Sequence, residues 1–136
     1  MLIKPLTYMN LSGKAIRKAI VAHQSSVQEC LVCYDDLHLP LGALRLKPSG
    51  SAAGHNGVQN IIDLFGTNVF PRLRMGIGND FPQGMQKEYV LTRFDSQERI
   101  VVDEMIERSI EGIVLFIRQG IDRAMNVVNQ STKTSE

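Results

Sequence analysis

Three short stretches of the sequence carry polar side chains that can bind a substrate or move a proton. They are Tyr8 and Asn10, Asp35 and Asp36, and His55 and Asn56. An asparagine carboxamide offers both a donor and an acceptor, so it can bind a peptide group or hold a water molecule. A carboxylate can accept the N–H of an imidazole and keep the other ring nitrogen basic. These residue types are therefore suited to acid–base chemistry on a bound peptide group.

Each of these residues also has a purely structural explanation. Asn10 can cap a helix, Asp35 can belong to a turn, and His55 can be an ordinary surface imidazole. The functional interpretation depends on their combination, because strand ends and helix starts converge at one crevice in an open α/β sheet.

Familiar catalytic motifs are absent from the sequence. The stretch "GSAAGHNG" has the wrong glycine spacing for a P-loop, and no lysine follows its second glycine. "GIGNDF" lacks the third glycine of a dinucleotide fingerprint. No serine has glycines two residues before and after it, as a nucleophile elbow requires. The sequence therefore supports neither triphosphate hydrolysis nor serine-ester chemistry.

Hydrophobic spacing predicts the elements that position these residues. In chain order they are a strand tail in "LIKP", an amphipathic helix in "NLSGKAIRKAIVAHQ", strands in "ECLVCY" and "ALRLK", a helix in "VQNIIDLF", a strand in "RLRMGIG", a long helix from Asp95 to Gly120 and a short helix in "DRAMNVVNQ". Asn10 or Ser12 is the expected cap of the first helix, and Asp95 with Glu98 resembles a capping box.

The predicted apolar faces are specific enough to be checked. The first helix should bury Ala15, Ile16, Ala19 and Ile20, and the long helix should bury Val102, Met105, Ile106, Ile110, Ile113 and Ile117. Alternation in the two later strands places Arg45 with Lys47 on one strand face and Arg72 with Arg74 on another. Strands alternating with helices predict an α/β fold with a mixed, mainly parallel sheet flanked by helices.

Size and charge limit the architecture. The chain has 136 residues, of which 43% are hydrophobic and 21% charged, so we expect one domain over residues 1–130 and a flexible tail over 131–136. The net charge is +1, with a basic bias in residues 1–80 that suits a phosphate-bearing ligand. No run is long enough to span a bilayer and no signal peptide is evident, so a cytoplasmic location and no membrane partner are expected.

Cys30 and Cys33 form a C-x-x-C pair within a predicted strand. Residues three apart on a strand point to opposite faces, so two reduced core thiols are the expectation. A zinc site completed by His38 or His55 would not match the spacing of common structural sites. We therefore expect neither a metal nor any other cofactor.

Three stretches of the sequence resemble bacterial peptidyl-tRNA hydrolase. They are "KPLTYMNLSGKAI", "CYDDLHLPLGALRLKPSGSAAGHNGVQNII" and "FPRLRMGIGND". The resemblance implies hydrolysis, without a metal, of the ester that joins a peptide to the 3′ ribose of tRNA. The implied partner is peptidyl-tRNA, through its peptide, 3′ end and acceptor stem. A monomer with no obligate protein partner is expected.

The resemblance also implies roles for individual residues. Asp35 matches the carboxylate that orients the family's general-base histidine, and Asn56 matches an asparagine that places water and substrate. Asn10 matches a second substrate-binding asparagine. The other implied contacts are Tyr8, Met9 and His55 in the substrate pocket, and Arg45, Lys47 and Arg74 at the acceptor-stem phosphates. Lys14 and Lys18 are further candidates on charge alone.

One part of the family pattern has no counterpart in the chain. The family begins with a strand ending in G-N-P-G and a T-R-H-N-x-G segment that carries the catalytic histidine, whereas this chain starts at "MLIKP". The resemblance therefore implies that the first strand and the general base are absent and that the chain alone is inactive. The explanations left open are a fragment or wrongly started gene model, a short protein that only binds tRNA, and two copies that exchange elements. A non-catalytic RNA-binding protein of the same fold is the alternative function.

Overall fold

Helix α1 spans Ser12–Ala22 in the computed structural model, which describes the backbone of residues 1–134 and the side chains of residues 1–130. The chain forms two compact units. Unit 1 consists of Met1–Val32 and Pro48–Pro71, and unit 2 consists of Cys33–Lys47 and the chain from Arg72 onward.

Unit 1 is built on the packing of α1 against helix α2, which spans Asn56–Phe65. The Asn60 side chain on α2 accepts the Gly13 N–H at 2.7 Å. A Cβ at position 13 would lie 2.9 Å from that Asn60 oxygen and 3.2 Å from the Ile61 Cα, so glycine is needed for this approach. The predicted inner face of α1 is confirmed, because its alanines and isoleucines are half-buried while Lys14, Arg17 and Lys18 are exposed.

Two predictions for the start of unit 1 are wrong. The described chain has no strand before Val32; Leu2 and Leu6 are 91% and 95% exposed. A strand needs a hydrogen-bonded neighbour, and the described sheet does not pair with this stretch. Neither Asn10 nor Ser12 caps α1. Leu11 occupies the cap position without a side-chain bond, because the 3₁₀ helix Met9–Leu11 runs directly into α1 and the Ser12 hydroxyl donates to the Met9 carbonyl.

The sheet contains strands β1 (Val32–Asp36), β2 (Leu44–Lys47) and β3 (Arg72–Gly76) in the order β1-β3-β2. β2 and β3 are antiparallel. The Val32 N–H donates to the Pro71 backbone carbonyl, and the Ile77 N–H donates to the Asp36 backbone carbonyl. Strands β1 and β3 therefore run in the same direction. The described sheet is therefore mixed, with one pairing of each kind, and a mainly parallel sheet is not confirmed.

Three helices follow in unit 2, namely α3 (Gln86–Leu91), α4 (Ser96–Gln119) and α5 (Ile121–Thr134). The predicted capping box is confirmed, since the Asp95 side chain accepts the Glu98 N–H and the Glu98 side chain accepts the Asp95 N–H. α5 packs against both α4 and β2. The sequence did not predict α3, whose six residues are too few to show a hydrophobic period.

The buried line of α4 differs from the predicted stripe. It runs through Val102, Met105, Ser109 and Gly112, whereas Ile117 is 72% exposed. Glycine at 112 allows α5 to approach, because a Cβ there would lie 2.8 Å from Val128 Cγ2. Ile110 was also predicted to be buried but is exposed. It lies with Val114 and Val127 along a cavity of about 410 Å³.

The remaining structural predictions have mixed outcomes. Cys30 and Cys33 are both free, as expected, but the prediction of two core thiols within one strand is wrong, because Cys30 precedes β1 and is half-buried while Cys33 on β1 is exposed. One domain over 1–130 stays a prediction. α5 extends to Thr134, and the rest of the predicted flexible tail over 131–136 lies outside the described residues. None of the helices that the structure describes is long and apolar enough to cross a membrane.

Candidate active site and RNA-binding face

In unit 1, the 3₁₀ helix that contains Met9 and Asn10 packs against the start of α2. Gly57 makes this approach possible. A Cβ at position 57 would lie 2.7 Å from Met9 Sδ, 3.0 Å from Ser12 Oγ and 3.1 Å from His55 Cε1, all closer than ordinary carbon contacts. The structure therefore brings together two sequence-predicted residues, Met9 and His55, that are 46 positions apart.

His55 is the N-cap of α2. Its backbone is extended (φ −77°, ψ 116°), and its Nδ1 accepts the Val58 N–H at 3.2 Å, which satisfies one of the helix's otherwise unpaired donors. A neutral imidazole has one acceptor nitrogen and one donor nitrogen. While Nδ1 accepts from Val58, Nε2 must carry the proton and can only donate.

The loop before His55 and Asn56 contains a glycine, Gly54, in a conformation that other residues rarely adopt. Gly54 has φ 86°, in the left-handed region that glycine adopts without a Cβ penalty. Asn56 follows as the first residue of α2, and its side chain is exposed. Asn56 therefore belongs to the first turn of a helix, whose N–H groups have no partner within the helix.

Tyr8 and Asn10 are exposed on the neighbouring segment of unit 1. Tyr8 is 81% exposed, and Asn10 lies exposed within the 3₁₀ helix. Unit 1 therefore places Tyr8, Met9 and Asn10 on one segment and His55 and Asn56 on the segment packed against it. Asp35 belongs to unit 2, and its convergence with the two asparagines stays a prediction.

In unit 2, one sheet face is lined by basic residues. The β2–β3 register places Arg45 opposite Arg74 and Lys47 opposite Arg72, and residues opposite one another share a face. The intervening leucines, Leu44, Leu46 and Leu73, are almost wholly buried on the other face. The predicted strand faces are therefore confirmed, and the register unites them into one basic face.

Only part of this basic face is accessible. Arg72 is buried at 1% exposure and is hydrogen-bonded to the Tyr34 side chain on β1. Burial lowers the pKa of Arg72, an effect that the Tyr34 bond opposes, and burial raises the pKa of Tyr34. Arg45, Lys47 and Arg74 remain partly exposed, and these are the three basic residues for which the family resemblance implies phosphate contacts.

Asp36 makes contacts with the basic face that sequence reasoning did not identify. Its Oδ2 accepts from Arg74 Nε at 2.5 Å, and its Oδ1 accepts the His38 N–H at 2.7 Å. Asp36 follows Tyr34 by two residues, so both side chains lie on the face that meets Arg72 and Arg74. The alternation of strand side chains could have placed Asp36 on the same face as Tyr34. Predicting its contact with Arg74 also required knowing that β1 lies next to β3.

Asp35 has the opposite orientation within β1. Because successive strand side chains alternate, Asp35 lies on the other face from Asp36, and it is half-buried. The two adjacent carboxylates therefore cannot serve the same group, and Asp36 is the one that pairs with the basic face.

The remaining candidates show little that indicates a site. Lys14 and Lys18 are exposed on α1. Among the residues that the structure describes, no cluster of His, Cys, Asp or Glu could hold a metal ion. Desolvation, followed by the Glu29 charge, raises the pKa of the Cys30 thiol, which disfavours the reactive thiolate.

Comparison with known proteins identifies the family. A family model described as peptidyl-tRNA hydrolase matches residues 1–136. A protein named peptidyl-tRNA hydrolase from Parabacteroides distasonis is 47% identical over 127 residues, which are 93% of this chain and 68% of that protein. One from Chlorobium phaeobacteroides is 44% identical over 128 residues, which are 94% of this chain and 68% of that protein.

The fold is also similar to solved structures. The crystal structure of peptidyl-tRNA hydrolase from Acinetobacter baumannii superposes with a TM-score of 0.84 at 33% identity, covering 92% of this chain and 63% of that one. This chain thus spans about two thirds of the length of the proteins that it matches. The model match over the whole chain and the identities above 40% show that the chain belongs to the peptidyl-tRNA hydrolase family.

Proposed function

We propose that this protein hydrolyses the ester bond between peptide and tRNA in peptidyl-tRNA and so releases free tRNA for translation. The observation that carries the proposal is the packing of the Met9 segment against the His55–Asn56 helix start, mediated by Gly57. Two exposed asparagines flank this contact. A cytoplasmic location follows from a substrate produced by translation.

The carboxamides are suited to the substrate's polar groups. Asn10 binds the peptide and the tRNA 3′ end, and Asn56 also holds the attacking water. A carboxamide can accept from a water or N–H while donating to a carbonyl, and the N–H groups at the start of α2 favour negative charge nearby. Tyr8 and Met9 add apolar contact to the bound substrate.

The general base is an imidazole that none of the chain's three histidines supplies. His55 Nδ1 is already an acceptor for Val58 N–H. His23 follows the last residue of α1, and His38 lies in the turn after β1. The family resemblance matches its general-base histidine to none of these three, so we propose that the base is a further imidazole whose N–H Asp35 accepts. This assignment makes the 136-residue chain inactive when it is alone.

The basic face binds the acceptor stem. Arg45, Lys47 and Arg74 contact backbone phosphates there, which positions the RNA without reading its sequence. Binding should consequently weaken as salt rises, because each neutralised phosphate releases counterions.

The test is peptide release from an N-blocked aminoacyl-tRNA. We would assay the 136-residue chain and a chimera in which it is preceded by whatever residues of the Parabacteroides distasonis protein lie N-terminal to the matched region. Release by the chimera, loss of release on Asn56→Ala, and retention on the matched α2 surface variant Gln59→Ala are expected. Normal turnover by the 136-residue chain would overturn the assignment of the base. Binding of tRNA without release, and without preference for the peptidyl form, would instead support the non-catalytic alternative.

A further inference from the structure

We infer that Asp36 is a positioning residue that fixes the Arg74 guanidinium for contact with an RNA phosphate. The inference rests on the proposed function, because it assumes that Arg74 meets the acceptor stem. It adds a carboxylate, on the strand next to Arg74, to the set of basic residues that the family resemblance supplies.

The carboxylate is itself held rigidly. The side chain of Asp36 is 4% exposed, and its two oxygens accept from different groups, namely Arg74 Nε and the His38 N–H. Its backbone carbonyl accepts the Ile77 N–H at 3.1 Å across the β1–β3 pairing. A carboxylate fixed by both its backbone and its side chain can impose one orientation on its partner.

The bond to Arg74 uses only part of the guanidinium. Asp36 engages Nε, and no hydrogen bond within the described residues engages the two outer nitrogens. The Arg74 side chain is 18% exposed. A guanidinium anchored through Nε keeps its outer edge for a second acceptor, and the planar fork matches two phosphate oxygens.

The cross-strand neighbour of Arg74 points to an anion as that second acceptor. Arg45 lies directly opposite Arg74, and like charges in this position destabilise a sheet. Asp36 supplies one negative charge against these two positive ones. A bound phosphate would supply the second, so the pair is better matched with the ligand than without it.

Removal of Asp36 has two opposing effects. The loss of a negative charge strengthens general attraction of RNA, whereas the loss of the anchor lets the Arg74 side chain rotate away. Salt screens the general attraction between the protein and RNA beyond about 8 Å at physiological ionic strength. The direct contact between Arg74 and a phosphate is screened less. We therefore expect the loss of positioning to dominate at physiological salt.

The experiment measures binding of deacylated tRNA to the 136-residue chain across a salt series. Arg74→Gln should raise Kd about tenfold, as expected for one charge-assisted contact, and should lower the slope of log Kd against log salt by about 1. Asp36→Asn should give a Kd within about threefold of that of Arg74→Gln, and it should lower the salt slope in the same way. The double variant should bind no more weakly than Arg74→Gln, because the two residues act through one contact.

Asp103→Asn is the matched control. Asp103 is an exposed partner of Arg99 on α4, so this substitution removes the same charge and also breaks an arginine pair. It should leave Kd and the salt slope near their original values. Binding by Asp36→Asn that equals the control, or that is tighter than the original, would overturn the inference, as would unchanged binding by Arg74→Gln.

Arg74→Lys provides a second test that leaves Asp36 intact. Lysine keeps the charge but lacks Nε and the planar fork, so binding close to that of Arg74→Gln is expected, and binding equal to the original protein would overturn the inference. If neither the original chain nor the chimera binds tRNA, the proposed function fails as well. If tRNA binds and the chimera releases peptide while Asp36→Asn behaves like the control, only the positioning role fails. In the chimera, Asp36→Asn should raise KM and leave kcat unchanged.

Discussion

Asn129 on α5 closes the outer edge of strand β2 by pairing with the backbone of Leu46. Its Oδ1 accepts the Leu46 N–H at 2.8 Å, and its Nδ2 donates to the Leu46 carbonyl at 3.0 Å. A carboxamide carries the same donor and acceptor as a peptide group, so one side chain replaces a neighbouring strand at this position. Since β2 is an edge strand of the described sheet, the pairing also protects it from association with other chains.

Asn129→Ala should lower the free energy of unfolding by about 1–3 kcal/mol, because a donor and an acceptor lose their partner. Asn129→Asp should not restore stability, since a carboxylate accepts from the N–H but cannot donate to the carbonyl. Urea unfolding provides the measurement. Asn126→Ala, at an exposed position on the same helix, is the control, and equal stability of the Asn126 and Asn129 alanine variants would contradict the prediction.

Gly57→Ala should destabilise unit 1 although alanine favours a helix. The gain in helix propensity is at most about 1 kcal/mol, whereas the added Cβ would lie 2.7 Å from Met9 Sδ, and such overpacking costs roughly 1–3 kcal/mol. We expect a net loss in urea unfolding and recovery of part of it in the double variant Met9→Ala/Gly57→Ala. A single variant as stable as the original chain would show that the Met9 segment adjusts without cost.

His55→Ala should cost roughly 0.5–2 kcal/mol, the usual value of a helix N-cap. His55→Ser should recover that stability, because a serine hydroxyl can accept the Val58 N–H. In the chimera we expect His55→Ser to keep kcat and raise KM, since the proposed function has the imidazole contact substrate without acting as the base. Loss of kcat in this stable variant would assign His55 a direct chemical role.

Stability should fall in alkaline solution as tyrosines ionise. Burial raises the pKa of Tyr34, while desolvation and then the Glu98 and Asp80 charges raise the pKa of Tyr89. A group whose pKa is higher in the folded state than in the unfolded state stabilises the fold at every pH below its unfolded-state pKa, which is near 10 for tyrosine. That contribution to the free energy of unfolding is lost as the pH rises through the folded-state pKa. Ultraviolet titration of tyrosinate should therefore show two late transitions, accompanied by a decrease in the free energy of unfolding.

Tyr34→Phe provides the control for that pH dependence. The variant should lose less stability between pH 9 and the alkaline limit than the original chain, because it has one fewer group to ionise. It also loses its bond to Arg72, so its stability at neutral pH should be lower. An alkaline decrease of the same size in both proteins would contradict the assignment to Tyr34.

Local sequence patterns predicted most elements of the fold but not all of them. The capping box at Asp95 and Glu98 was predicted because it is determined by a few adjacent residues. The stripe of α4 was only partly correct, since the buried line follows Ser109 and Gly112. Burial there depends on the close approach of Val128, which helical spacing alone does not specify.

The candidate site shows the same division. Residue types and motifs nominated Asn10, His55, Asn56 and the basic strand residues, because these features are written in short stretches of chain. Their arrangement was decided elsewhere: Arg45 faces Arg74 through strand register, and Asp36 reaches Arg74 from 38 positions away. Sequence by itself determined which chemical groups are present and on which local face each lies, since backbone periodicity is a property of neighbouring residues. Tertiary structure decided which groups meet, because strand order and helix packing depend on the burial of apolar surface over the whole chain.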